Sequence, residues 1–128
     1  MVSFGQFTLQ DGSPIYLQII RHIKQSIVAG TARDGDEMPS RRVLSALLGV
    51  NPNTVQKAYR LLEEEGIIES RSGVKSYLVL NDGQVRRIRQ QLLESDVREL
   101  ASAMKKMGVS KAEAVSLVEQ LWESEQGV

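Results

Sequence analysis

Two short amphipathic segments meet at Leu48-Gly49-Val50-Asn51 with nothing between them but a glycine and a helix cap. Ser40 caps the first segment, and Val43, Leu44, Leu47 and Leu48 are spaced to face inward. Gly49 ends it, because glycine enters the left-handed region without steric cost. Asn51-Pro52 then opens a new helix, with asparagine as cap and proline at the first helical position. Val55, Ala58, Tyr59 and Leu62 form its buried stripe, Gly66 closes it, and Val50 fills the angle between the two helices. So tight a joint forces the helices to cross steeply, which is the helix-turn-helix arrangement.

The flanking segments extend this unit. Ser13-Pro14 reads as cap and first residue of an earlier helix, whose Tyr16, Ile19, Ile20, Ile23 and Ile27 recur at three- and four-residue spacing up to Gly30. Thr31 to Glu37 is a polar loop. Ile67–Glu69 and Tyr77–Leu80 read as two strands about a turn at Ser72-Gly73, a β-hairpin. The predicted fold is therefore mainly α. Residues 1–12 are a loose or extended lead-in, and residues 13–80 are a winged helix-turn-helix of three helices and a hairpin wing. Residues 81–128 form a two-helix tail.

In that tail, a long helix is expected from Gln84 to Met107. Gly108 breaks it, and Ser110-Lys111-Ala112-Glu113 is a capping box for a last helix. The long helix carries two apolar stripes. Val85, Ile88 and Leu92 make one; Leu93, Val97, Leu100, Met104 and Met107 make the other, offset by roughly 110° at about 100° per residue. The first is assigned to packing on the winged domain. The second, with Leu117, Leu121 and Trp122 of the last helix, is assigned to dimerisation. The competing assignment folds the whole tail back onto its own domain.

Composition narrows the function. No cysteine is present, which excludes disulfides, thiol catalysis and cysteine-ligated zinc. His22 is the sole histidine and reads as a surface or boundary residue, not a metal ligand. Asp34, Asp36 and Glu37 read as a solvated loop, and Trp122 as a core or interface anchor. No catalytic triad, phosphate loop or spaced carboxylate pair is visible, so no enzyme and no cofactor are expected. No apolar run is long enough for a membrane span and no signal peptide is apparent, and the lack of cysteine fits a cytoplasmic location, which is the expectation. A tail of 48 residues leaves no room for a large effector-binding domain.

Sixteen basic residues balance sixteen acidic ones, but they are unevenly placed. From Met38 to Leu62 there are four basic residues, Arg41, Arg42, Lys57 and Arg60, and no acid. The outward face of the third helix carries Asn53, Thr54, Gln56, Lys57 and Arg60, donors and acceptors suited to base edges and phosphates. Its N-terminus is expected to present free amides to an anion.

Met38-Pro39-Ser40-Arg41-Arg42-Val43-Leu44, Leu48 to Tyr59, and Leu62-Glu63-Glu64-Glu65-Gly66-Ile67-Ile68 resemble the DNA-binding domain of GntR-family regulators over residues 13–80. The run Asn51 to Tyr59 with a short helical tail is similar to the YtrA subfamily. The resemblance implies a base- or phosphate-contacting Arg42 and a phosphate contact from Ser40. It puts Asn51, Asn53 and Thr54 at the groove and Gly73 at the wing tip near the minor groove. Arg71 and Lys75 join Arg41 as further DNA-contacting candidates. Many family members carry arginine where this chain has Pro52 and Gln56, so the preferred operator should differ. After the tip glycine the family's basic-Gly-Thr-aromatic run is replaced by Val74-Lys75-Ser76-Tyr77. The resulting expectation is a sequence-specific transcriptional regulator. It would be a repressor binding an inverted-repeat operator in double-stranded DNA as a homodimer, and the subfamily resemblance implies control of a transporter operon. The alternative is a winged helix used as a protein-interaction module with no DNA target.

Overall fold

The computed structural model describes residues 1–73 and 75–126. Residues 1–90 form one compact unit and the rest of the chain a second. In order, the elements are α1 (Ile15–Ala29), α2 (Arg41–Leu48), α3 (Pro52–Glu64), β1 (Ile68–Arg71), β2 (Lys75–Leu78), α4 (Asp82–Lys106) and α5 (Lys111–Gln126). The unit boundary falls inside α4.

The first unit is the winged helix-turn-helix, built around α3. Val55, Ala58, Tyr59 and Leu62 of α3 are fully enclosed against Ile19 and Ile23 of α1 and Leu44 of α2. Proline, not Ser13, takes the cap position of α1: Pro14 has extended backbone and no side-chain cap bond. The Gln18 side chain closes that end instead, donating to the Ser13 and Gln10 carbonyls.

α2 differs from its expected pattern. Leu44 is buried and Leu48 half-buried, but Val43 and Leu47 are 57% and 64% exposed. An eight-residue helix has room for one narrow stripe, and Ser45 takes part of it. Its hydroxyl donates to the Val50 carbonyl at 2.8 Å, while the Val50 amide donates back to the Ser45 carbonyl at 3.1 Å. The helix-turn-helix joint is thus closed by a serine, a polar residue in an apolar position whose bonding capacity is satisfied. Gly49 adopts φ 67°, as the tight turn requires.

The hairpin pairs Ile68 with Leu78, Glu69 with Tyr77, Ser70 with Ser76 and Arg71 with Lys75. Both strands reach closer to the tip than the sequence suggests, because their distal residues are polar and leave no apolar alternation to read. Residues 35–38 line the other edge of β2: the Met38 amide donates to the Ser76 carbonyl and the Leu78 amide to the Asp36 carbonyl. The lead-in is packed rather than loose. Val2 and Phe4 are buried, the Val2 amide donates to the Glu37 carbonyl, and His22 lies between Phe4 and Phe7 with Nε2 2.7 Å from the Ser3 carbonyl.

Asn51 and Gly66 mark the ends of α3 as expected, and Asn81 and Gln84 start α4 with reciprocal side-chain-to-backbone bonds, a capping box. Ile88 of α4 is buried in the first unit, with Val85 half-buried. In the second unit, Ser110 caps α5 through the Glu113 amide at 3.1 Å. Between the second half of α4 and α5 runs an open groove of about 510 Å³, lined by Val97, Leu100, Met104, Val109, Val115 and Val118.

Tyr59 joins this core to the start of α2. Its hydroxyl is buried and donates to the Pro39 carbonyl at 2.6 Å. Burial pushes the phenol well above its ordinary value of 10.0, against an opposing pull from Arg41. A phenol with a raised folded-state pKa contributes stability that is complete below the unfolded value of about 10 and is lost as pH rises through the folded one. Tyr59→Phe leaves the Pro39 carbonyl unpaired and should cost about 1–3 kcal/mol. Thermal melts at neutral pH should show that loss, and melts above about pH 10 should show the variant losing less further stability than the wild type.

Candidate nucleic-acid interface

One surface of the first unit gathers most of the expected contacts. Ser40 caps α2, accepting the Val43 amide at 3.1 Å, and Arg42 is exposed in the same first turn. Across the joint, Asn53, Gln56, Lys57 and Arg60 are exposed on α3, with Thr54 half-buried beside them. The apolar stripe of α3 faces the core, so its polar residues have only the outer side available.

The cations differ in how they are held. Arg42 and Arg60 have no ion-pair partner among the described residues. Lys57 extends its ammonium to 4.0 Å from the centroid of the Tyr16 ring of α1, a cation–π contact that steadies a long, mobile side chain. Arg71 is drawn onto its own strand, donating to Glu69 at 3.0 Å with its guanidinium over the Tyr77 ring. Lys75 lies 3.9 Å from Glu37, at the limit of an ion pair. Both remain exposed near the tip, where Ser72 and Gly73 have positive φ. Val74, the residue after the tip glycine, lies outside the described residues.

Arg41 is not brought to this surface. Its guanidinium turns inward to Glu63, 2.9 Å away, and lies over the Tyr59 ring. The expected free amides at the start of α3 are also absent. Pro52 has no N–H, the Asn53 amide donates to Asn51 Oδ1 at 2.8 Å, and the Thr54 amide donates to the Asn51 carbonyl. A cap that satisfies the helix end this well leaves anion binding to side chains. Tyr16 is the residue that sequence reasoning missed: its spacing marks it as core, and only the fold puts its ring beneath Lys57.

The acids sit elsewhere. Glu63, Glu64 and Glu65 crowd the far end of α3, where Arg41 and Lys24 pair with two of them. Asp34 and Asp36 cap backbone amides, those of Leu80 and Arg33, both at 2.8 Å.

The sequence pattern described as "Bacterial regulatory proteins, gntR family" matches residues 15–78, the span of the helices, joint and hairpin just described. The chain belongs to the GntR family. It is therefore a helix-turn-helix transcriptional regulator that binds DNA, and not an enzyme; the interaction-module alternative falls. The chain is 40% identical over 93 residues to the HTH-type transcriptional repressor YtrA of Bacillus subtilis, covering 68% of this chain and 72% of the repressor. Among solved structures, a GntR family transcriptional regulator from Listeria monocytogenes superposes with a TM-score of 0.76 at 34% identity, covering 88% of this chain and 98% of that one. YtrA from Sulfolobus acidocaldarius, a GntR-family transcription factor, gives a TM-score of 0.57 at 34% identity, over 77% of this chain and 99% of its own. No helix among the described residues is long and apolar enough to cross a membrane.

Proposed function

We propose that this GntR regulator is a homodimeric cytoplasmic repressor that reads an inverted-repeat operator with one winged domain per half-site. α3 enters the major groove with Asn53, Thr54 and Gln56 towards base edges. Arg42, Lys57 and Arg60 reach bases or phosphates, and Ser40 approaches the backbone. Asn51 sits at the groove edge as the cap of α3, and Arg71, Gly73 and Lys75 bring the hairpin to the neighbouring minor groove. The observation that carries this reading is the α3 face itself, where neutral hydrogen-bonding side chains are flanked by Lys57 and Arg60, neither of which has an ion-pair partner among the described residues. The likeness to a named repressor supports the sign of regulation. Pairing of subunits is assigned to the second unit, where Leu93, Val97, Leu100, Met107, Leu117, Leu121 and Trp122 are exposed and Met104 is half-buried. Surfaces of this kind mark interfaces.

Mobility shifts with a mixed-sequence duplex at rising salt test the electrostatic part. Each neutralised phosphate should contribute about −0.9 to the slope of log affinity against log salt, so binding should weaken steeply. Salt-insensitive binding, or none, would contradict the assignment. Gln56 offers a sharper test of base reading. An amide pairs bidentately with adenine, whereas arginine pairs with guanine. Gln56→Arg should move the preference at one position of each half-site towards guanine. Identical selected sequences from the two proteins would remove Gln56 from the reading set.

A further inference from the structure

Arg41 has the sequence position of a DNA contact, but the fold gives it other partners. Its Nη2 donates to Glu63 Oε1 on α3 at 2.9 Å, and Ser70 Oγ of β1 donates to the same oxygen at 3.4 Å. Its Nη1 donates to Ser76 Oγ of β2 at 3.4 Å. Ser70 and Ser76 are cross-strand partners with hydroxyls 3.5 Å apart. The guanidinium also lies 4.9 Å from the Tyr59 ring centroid. The Arg41–Glu63 pair thus ties α2 and α3 to both strands, Arg41 bonding Ser76 of β2 and Glu63 bonding Ser70 of β1.

The hairpin needs such a grip. Two strands alone are marginally stable in water; residues 35–38 bond the outer edge of β2, as at Met38 to Ser76, but they do not tie the hairpin to α3. Ile68 and Leu78 are buried at the base, but beyond the Ser70–Ser76 pair every described residue of the tip is exposed: Arg71, Ser72, Gly73 and Lys75. Beyond that pair the described side-chain contacts are Arg71 with Glu69 and Tyr77 of the hairpin itself and Lys75 at 3.9 Å from Glu37; the Ser70–Ser76 rung is the one that Arg41 and Glu63 hydrogen-bond to.

We propose that Arg41 is a positioning residue: together with Glu63 it fixes the hairpin against α3, so that Arg71 and Lys75 reach DNA at a set distance from the recognition helix. This rests on the reading above that the hairpin touches DNA. The paired charges cancel locally, so Arg41 offers no unpaired cation to phosphate.

The charge of Glu63 gives the test its direction. Glu63→Gln removes a negative charge from a DNA-binding domain, and by electrostatics alone binding should tighten. If the pair positions the hairpin, binding should weaken. The experiment uses the full chain, a duplex recovered by selection from a random library, and amide hydrogen exchange across residues 68–78, with thermal melts to verify folding. Glu63→Gln and Arg41→Gln should each lower affinity roughly fivefold. Hairpin amides should exchange faster while those of α3 do not. The double variant should be little worse than either single one, because both remove the same contact. Arg41→Lys keeps the ion pair and should recover part of the loss. Glu63→Gln binding as tightly as the wild type or more tightly, or unchanged hairpin exchange, overturns the proposal. Arg71→Ala combined with Lys75→Ala separates the two layers. If that pair leaves affinity unaltered, the hairpin has no part in binding and the underlying reading fails. If it matters while Glu63→Gln does not weaken binding, the positioning role alone is overturned.

Discussion

Leu100→Asp combined with Met104→Lys is expected to yield a monomer whose winged domain stays folded, with operator affinity reduced by at least about a hundredfold. A single winged domain contacts few base pairs, too few to discriminate against a genome of competing sites. Two recognition helices about one helical turn apart remedy this, and a fixed spacing needs a dimer. Leu100 is 44% exposed in the isolated chain and lines the α4–α5 groove together with Met104. The two introduced charges lie four residues apart on α4 and can pair with each other, but burying an ion pair in an apolar seam costs more in desolvation than the pairing returns. The first unit keeps its own core of Ile19, Ile23, Leu44, Val55, Tyr59 and Leu62, none of it drawn from the second. Sedimentation velocity and a mobility shift on the same samples check both halves. A variant that remains dimeric, or a wild type that is monomeric at micromolar concentration, contradicts the role given to the second unit.

Arg42→Ala is expected to weaken specific binding by about 1–3 kcal/mol, the range for a good base contact. Arg42 is exposed beside the capping Ser40 and has no ion-pair partner among the described residues, so its loss should leave the melting temperature unchanged. Its neighbour provides the contrast. Arg41 is adjacent in sequence yet about 100° round α2, where its guanidinium meets Glu63 and the Tyr59 ring. Unaltered operator affinity in Arg42→Ala would remove it from the interface.

The difference between those two arginines shows what the sequence could and could not convey. The joint was legible because Gly49, Asn51 and Pro52 each act through local backbone geometry, which needs no knowledge of the fold. The α3 core stripe was legible for the same reason: its period is a property of the helix. Side-chain partners are not local. Glu63 is a full α3 length away from the joint, and nothing in its spacing announces that it will meet Arg41. Tyr16 looked like core because its spacing fitted the α1 stripe, although the fold sets its ring beneath Lys57. Val43 and Leu47 were misread in the reverse sense, since apolar character was taken as burial while Ser45 held the inner position. The lead-in was misread because Val2 and Phe4 pack through long-range contacts without forming a regular element.

Selection of bound sequences from a random duplex library tests the central claim most directly. The account predicts an inverted repeat whose half-sites are centred about one helical turn apart, 10–10.5 base pairs or a multiple of it, each with a position that responds to Gln56→Arg. Recovery of a single undivided site, or no enrichment over the starting library, would contradict it.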